Sequence, residues 1–559
     1  MLTRILEKLD KTTLAFFAVL LFIAYFTFSF AAHTTIGTFA DDSVSYIIMG
    51  QSYSPYFSTS PVILDAAKVE NYPPVFPLFL ALTGASHNYL LGHVLVVFLL
   101  LLSLVALYFF SATTLKNNKS ATLKNKVTAL LVVLLFAASP STWLNVMGIL
   151  SENLYILLVL SALYYYEFKI NDKEFSRKTA IVFGVLLGLV LLTRTIGISI
   201  IAAFVITSLI KEKSLGTFFK SNWLITLLIP ATAALLWYFF GANRDTDLYA
   251  NDVSGVITNI FTHGSFWSNL SALIEPQING LTMSWYTAFL LHWRSEFEMR
   301  AIIVAVFAFF ILAGLIARLL KNRIDAWYTL FYLTIVVVWP YSEQTGRFLY
   351  PALPLLFLYG AVGLGLIQDK LPQSWLKIHF VHISLLLIIA TVIPTMAFFQ
   401  SRAQYETELK DMDFTRVMLF YNYPNLTDAE RIALHHEHLR QDLEKIKQST
   451  EDQASIMWYT PNYINLLSER KAVRFPRDFK APNFFEQVKQ SGADYIFAAK
   501  LNPRYTSADF DGLAIYSLFT DISSLMWSRQ NPMGIGVLSV LLKIDQEKLD
   551  QKIRQQRNQ

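Results

Sequence analysis

Asp41 and Asp42 stand side by side in FADDSVSYIIMG (residues 39–50), just beyond an apolar run from Thr12 to Ala32. That run has roughly the 20 residues a helix needs to cross a bilayer. A carboxylate at such an edge can do two things. It can cap the helix that SVSYIIMGQSY (43–53) predicts, accepting from orphan backbone N–H groups and complementing the helix dipole. It can also take a proton from a hydroxyl, or hold a divalent cation, because two close carboxylates repel and one then keeps its proton to higher pH. Capping employs one Asp and leaves the second without a task.

Cations near a bilayer edge are the natural counterpart of an anionic group. Arg194 in LLTRTIGISI (191–200) and Arg347 in GRFLYPALPLLFLYG (346–360) each open an apolar helix, and Lys68 lies in the same interhelical segment as the Asp pair. Such side chains either reach to lipid headgroups or offer charge-assisted hydrogen bonds to a phosphate. Tyr341, Glu343 and Gln344 crowd the short loop ahead of Arg347, more polar groups than lipid anchoring needs. Glu152 in SENLYILL (151–158) is either a first-turn charge behind a Ser151 cap or a group that orients a cation. In LHWRSEFEMR (291–300), His292, Arg294 and Glu296 can line a site, though beside Trp293 they also read as an interfacial anchor. HHEH (435–438) sets His435 and His438 one turn apart, but no further ligands accompany them; a solvated helix face accounts for them and no metal site is expected. The absence of cysteine excludes a thiolate nucleophile and a Cys-ligated metal.

The elements that must position these groups are membrane helices. With 54% hydrophobic and 16% charged residues in 559, the chain has more apolar surface than a soluble domain can bury, whereas lipid accepts it. The first run reads as a retained signal-anchor, although SFAAH (29–33) resembles a cleavage site. Further runs occur at about 89–110, 127–146, 150–168, 180–210, 222–241, 300–320, 325–341, 346–367 and 376–399. At 1.5 Å per residue the run 180–210 measures about 46 Å, too long for one crossing. TRTIG (193–197) interrupts it, and Lys/Arg clusters flank both ends, so it is read as two spans. The loops bearing Lys8, Lys119, Lys173, Lys213 and Lys321 then share one face. By the positive-inside rule that face is cytoplasmic.

The expected fold is thus a polytopic α-helical membrane protein of about 11 transmembrane helices, with its N-terminus inside and its C-terminus outside. Residues 1–400 form the membrane domain, with outer loops 35–88 and 242–299; residues 401–559 form a small extracytoplasmic α/β domain. In the tail, 405–450 looks helical, while SIMWYTPNYINLL (455–467), AVRFP (472–476) and ADYIFAAK (493–500) read as strand–helix–strand units. Loop 35–88 is read as two surface helices, the second opened by the prolines of NYPPVFPLFLAL (71–82).

In this order, over about residues 1–400, several segments resemble the GT-C class of membrane glycosyltransferases, which includes protein O-mannosyltransferases and the aminoarabinose transferases of lipid A. The resemblance rests on the acidic pair ahead of Tyr46, the Y-P-P-x-x-P-L start at Tyr72, SPSTWLNVMGILSENLYILL (139–158), LLTRTIGISI and GRFLYPALPLLFLYG. It implies inverting transfer of a sugar from a polyprenyl-phosphate donor to a hydroxyl of a lipid, glycan or protein, on the extracytoplasmic face of the plasma membrane. No cofactor is required, although the Asp pair leaves a divalent cation open. Many members have Asp-Glu with a Tyr four residues after the Asp; the spacing to Tyr46 selects Asp42, with Ser43 in the Glu position, while Asp41-Asp42 also matches as the pair. Under that resemblance, Asp42 or Asp41 is the candidate base, Arg347, Arg194 and Lys68 are the candidates to meet the donor phosphate, and Tyr46, Glu152, Tyr72, His292 and Tyr341 are the candidates to contact the substrates.

The rival reading is a transporter or flippase of a lipid-linked or small solute. Transporters usually show internal repeats with substrate groups near the midplane; here no repeat is evident and the polar candidates gather at one face. A lipid-linked glycan polymerase or ligase would use the same donors with other motifs. No Gly-rich phosphate loop is evident, and nucleic acid is not expected as a partner.

Overall fold

The computed structural model describes residues 11–31, 36, 42–116, 122–171, 175–212, 222–240, 254–255, 258, 261, 265–289, 299–339, 344–368, 382–390, 428–476, 479–499, 512–530 and 537–557. The chain forms two units. One comprises Met1–Thr35, Asn71–Leu80 and Asn88–Ala397; the other comprises Ile36–Glu70, Ala81–His87 and Phe398–Gln559.

The chain begins with α1 (Lys11–Ala31). Three short helices follow: α2 (Ser43–Ser52), α3 (Pro61–Ala67) and α4 (Val75–Thr83). Where two helices are expected in this segment there are three, because Ser60 caps α3 by accepting from Ile63 N–H and Pro61 supplies its first-turn φ. Next come α5 (Tyr89–Lys116), α6 (Thr122–Ala138), α7 (Pro140–Val146) and α8 (Glu152–Tyr165), the last closing in a π-turn, Tyr166–Ile170. Then follow α9 (Arg177–Thr193), α10 (Ile198–Glu212), α11 (Asn222–Phe240), α12 (Phe266–Thr287) and α13 (Met299–Leu320). The series continues with α14 (Ile324–Val338), α15 (Thr345–Leu349) and α16 (Leu353–Gln368).

Among the described residues six helices are long and apolar enough to cross a membrane, and a seventh candidate is the α6–α7 pair, bent by 58°. The bend falls at Ser139-Pro140, where proline ends one helix and starts the next. The run 180–210 is likewise two helices: Arg194 is extended (φ −150°, ψ 133°) and a 3-10 turn, Thr195–Gly197, leads into α10. Of the last expected run, 376–399, only 382–390 lies within the described residues.

Burial ranks the helices. The stretch Thr345–Ile367 is 83% buried, against 28% for Thr12–Ser29 and 17% for Asn222–Phe239, so α16 is central and α1 and α11 present most of their surface outward. Glycine makes the central contact possible. A Cβ on Gly314 of α13 would overlap the Tyr359 carbonyl of α16, and one on Gly363 would overlap the Phe310 carbonyl. Small residues at such a crossing let two backbones touch, the usual source of helix association where lipid competes with apolar side chains. Polar side chains add cross-links: Ser103 Oγ of α5 donates to the Asn153 carbonyl at 3.0 Å, and Tyr332 Oη of α14 donates to the Phe348 carbonyl at 2.8 Å.

The second unit contains α2, α3 and the C-terminal domain. That domain holds α17 (Asp428–Ser449), α18 (Phe484–Gln490), α19 (Gly512–Phe519) and α20 (Gln546–Arg557). Its strands are β1 (Ser455–Trp458), β2 (Lys471–Arg474), β3 (Tyr495–Ala499), β4 (Ser523–Gln530) and β5 (Val537–Ile544), ordered β2-β1-β3-β5-β4. β1 pairs parallel with β2 and β3, as crossover units require, while β5 runs antiparallel to both β3 and β4. Buried Trp458, Tyr463 and Phe497 fill its core. His438 of the HHEH segment is also buried, on the inner side of α17 rather than on a solvated face; the side chain of His435 lies outside the described residues.

Candidate active site

Asp42 occupies the N-cap of α2, yet its side chain caps nothing: no first-turn N–H reaches it, and the helix begins with the backbone bond from Tyr46 N–H to the Asp42 carbonyl, 3.0 Å. The helix is buried from Ser43 to Gly50, which places Tyr46 in the core, 2% exposed, and leaves half-buried Asp42 at the rim. Asp41 lies outside the described residues.

A second carboxylate, Glu70, belongs to the same cluster. Its Oε1 accepts from Asn462 Nδ2 at 2.6 Å, and the same amide donates to Ser45 Oγ at 3.0 Å, so one residue of the C-terminal domain ties the first turn of α2 to the end of the α3 segment. Burial raises the Glu70 carboxyl above the ordinary range. The hydrogen bonds of Asn462 and Ser45 oppose that rise, the negative charge of Asp42 adds to it, and Arg474 opposes it. The opening expectation of an acidic pair thus has a partner for Asp42 that comes from another part of the loop.

The first unit holds the cationic candidates. Arg194 stands at the break between α9 and α10, where Thr193 Oγ1 turns back to the Leu189 carbonyl and frees the chain to extend. Arg347 lies in α15, and Glu152 opens α8. The three meet: Arg194 Nη1 lies 2.6 Å from Glu152 Oε1, and Arg347 Nε donates to the same oxygen. Arg194 Nη1 also donates to Ser151 Oγ at 3.2 Å. Glu152 is fully buried, whereas the arginine side chains are 11% and 19% exposed. Tyr350 Oη donates to Asn153 Oδ1 at 2.6 Å and fixes the next residue of α8. Glu152 Oε2 and Asn153 Nδ2, both buried, find no hydrogen-bond partner among the described residues.

Two guanidinium groups share one carboxylate, so these three side chains together sum to one positive charge. Both arginines keep an exposed edge through which an anion can reach them, and guanidinium geometry suits phosphate oxygens. Glu152 is therefore not a plain first-turn charge; it aligns both arginines.

The remaining candidates are dispersed. Lys68 is exposed and pairs with Asp65 at 2.7 Å, an i,i+3 contact on the end of α3 that lowers the Asp65 carboxyl through hydrogen bonding and charge. Tyr72 is half-buried ahead of α4. His292, Arg294, Glu296, Tyr341 and Glu343 lie outside the described residues. Among the described residues no group of three or more His, Asp or Glu side chains is arranged to hold a metal ion.

No family model and no curated protein matches the chain. Solved structures do. ArnT from Cupriavidus metallidurans in the apo state matches over 95% of this chain and 97% of its own, at TM-score 0.51 and 10% identity. ArnT from the same organism bound to undecaprenyl phosphate matches over the same shares at 0.49 and 12%. The oligosaccharyltransferase AglB from Archaeoglobus fulgidus, in complex with an inhibitory peptide and a dolichol-phosphate, matches over 93% of this chain and 74% of its own at 0.46 and 14%. The chain thus has the fold of ArnT, and the structures it resembles are GT-C glycosyltransferases. With its long apolar helices, it is an integral membrane protein.

Proposed function

We propose that this protein is a membrane glycosyltransferase that takes its sugar from a polyprenyl phosphate and passes it, with inversion, to a hydroxyl on the extracytoplasmic face. The observation that carries this reading is the Arg194–Glu152–Arg347 cluster, where two guanidinium groups converge on one carboxylate and keep exposed edges that suit a lipid phosphate. The shared fold with ArnT is in keeping with it.

In the proposed reaction the acceptor oxygen forms a bond to the anomeric carbon as the bond from that carbon to the phosphate oxygen breaks. The acceptor hydroxyl is far too weak an acid to ionise near neutrality, so a carboxylate must receive its proton; Asp42 is assigned that role, and Asp41 stands as the alternative. The phosphate leaves with the bonding pair and gains negative charge, which Arg194 and Arg347 stabilise. Asn153 Nδ2 is a further donor beside them. Tyr46 packs behind the base, and Lys68, Tyr72, His292 and Tyr341 are proposed to contact the substrates. No metal is assigned a role. The orientation follows from the basic loops: N-terminus and Lys321 loop cytoplasmic, C-terminal domain extracytoplasmic, about 11 crossings. The acceptor is a lipid, a glycan or a protein.

Native mass spectrometry of the purified protein in mild detergent tests the donor class. Retention of a polyprenyl phosphate bearing a sugar mass, lost in Arg347→Ala, is the expected result. Selective retention of other lipids or small solutes, with undecaprenyl phosphate failing to bind when added, would move a transport function ahead.

A further inference from the structure

A second polar cluster lies at the opposite end of α8 from Glu152. Glu167 sits in the π-turn, about 15 residues along, or ~22 Å at 1.5 Å per residue. Around it α13 ends and α14 begins. Arg318 makes a bidentate pair with Asp325, Nε to Oδ2 at 2.7 Å and Nη2 to Oδ1 at 2.6 Å, and Arg323 Nη1 donates to Glu167 Oε1 at 2.9 Å. Between these groups is a cavity of about 50 Å³, with Thr114, Glu167, Arg318, Lys321 and Arg323 on its polar walls. That volume is several times the ~10–15 Å³ one water requires, enough for a tetrahedral anion.

Three features point to what enters it. The charges do not balance: Arg318, Lys321 and Arg323 face two carboxylates, and exposed Lys321 has no ion-pair partner among the described residues. Thr114, 2% exposed, presents a hydroxyl that has no hydrogen-bond partner among the described residues, whereas neighbouring Thr113 bonds back to the Phe109 carbonyl. The remaining walls, Val362 and Leu366, are apolar, and beside the mouth α13 shows an outward stripe of Leu312, Ile316 and Leu320, the last 83% exposed. A free phosphate has no use for that stripe; acyl chains do.

We propose that this pocket holds the phosphate of an anionic phospholipid, with Thr114 and Lys321 as its ligands and the acyl chains lying along the α13 stripe. Arg318 and Arg323, already paired, set the field of the pocket without leaving their carboxylates. Basic pockets between helices at the cytoplasmic end of a bundle suit anionic headgroups, each Lys or Arg adding about 1 kcal/mol near the surface.

The test uses the purified full chain in neutral detergent and native mass spectrometry, with phosphatidylglycerol, phosphatidylcholine of matched chains, and inorganic phosphate as probes. Phosphatidylglycerol should be retained over phosphatidylcholine, and Lys321→Ala should lower that retention about five-fold, the factor that ~1 kcal/mol represents. Thr114→Val, which keeps shape, should lower it as well. Lys321 is exposed, so its loss leaves the fold intact; melting temperature checks this. Equal retention of both lipids, or wild-type retention by folded Lys321→Ala, would overturn the proposal. Displacement of phosphatidylglycerol by equimolar inorganic phosphate would overturn the lipid and make the free anion the ligand.

Discussion

Glu152→Gln is the most informative single change. It keeps the size of the side chain and removes the carboxylate that Arg194 and Arg347 share. Removing one partner of a buried ion pair costs roughly 3–5 kcal/mol. Both arginines keep an edge toward solvent, at 11% and 19% exposure, which places the loss at the lower end, about 3 kcal/mol. At ~2–4 °C per kcal/mol for a 150–250-residue domain, the melting temperature in detergent should fall by at most about 10 °C in this longer chain. The variant also raises the summed charge of these three side chains by one positive unit. Undecaprenyl phosphate at 100 times its dissociation constant returns about 2.7 kcal/mol. The Glu152 carboxylate no longer competes for the guanidinium groups, so the stabilisation by a fixed dose of that lipid should be larger in Glu152→Gln than in wild type. The assay is a thermal melt of both proteins with and without the lipid. A melting temperature equal to wild type would refute the buried-pair reasoning. A smaller lipid-induced shift in the variant would refute the arginines as phosphate ligands.

Other changes probe the remaining assignments. Asp42→Asn should abolish sugar transfer at unchanged melting temperature, since the side chain caps nothing in α2; full activity in the Asp41→Asn, Asp42→Asn double variant would dismiss the carboxylates. Arg347→Ala should weaken use of the donor more than of the acceptor, read as separate KM values, and equal losses would indicate a structural role. Burial holds the Glu70 proton more tightly in the folded chain than in the unfolded one, so its contribution to stability is complete below the ordinary carboxylate value and is lost as pH rises through the folded value. Glu70→Gln never ionises, and its melting temperature should therefore gain on wild type as pH rises across that window; a constant difference would contradict the buried site. Gly363→Val should cost 1–3 kcal/mol or more by overpacking against the Phe310 carbonyl, visible as loss of monodisperse protein on size-exclusion chromatography.

Much of the membrane unit is legible in the chain because apolar runs and Lys/Arg clusters are local signals. The break at Arg194 is an example: the length of 180–210 and the charges beyond both ends point to two helices, and two helices are found. The meeting of Arg347 with Glu152 is not local. The two are 195 residues apart, and each alone reads equally well as a lipid anchor or a first-turn charge. Glu70 and Asn462, 392 residues apart, were beyond reach for the same reason. Glu70 did leave one clue, an acidic side chain just ahead of Asn71-Tyr72-Pro73-Pro74 in the segment that carries Asp42. The β4–β5 hairpin escaped notice because β4 is mostly exposed and polar, so no face alternates clearly. Helix α3 was missed although its signal, Ser60-Pro61, is an ordinary helix start.

The backbone contact of Gly314 with α16 also sets an order of assembly. During synthesis α13 enters the bilayer well before α16 exists, so its glycine face first meets lipid. The joint closes only when the chain through Gly363 has been inserted, and Arg347, just ahead of α16, arrives in the same late step. Until then, of these two arginines, only Arg194 is present to pair with Glu152. A nascent chain stalled before α15 thus holds Glu152 and Arg194 but not Arg347, which arrives just ahead of the helix that locks the bundle.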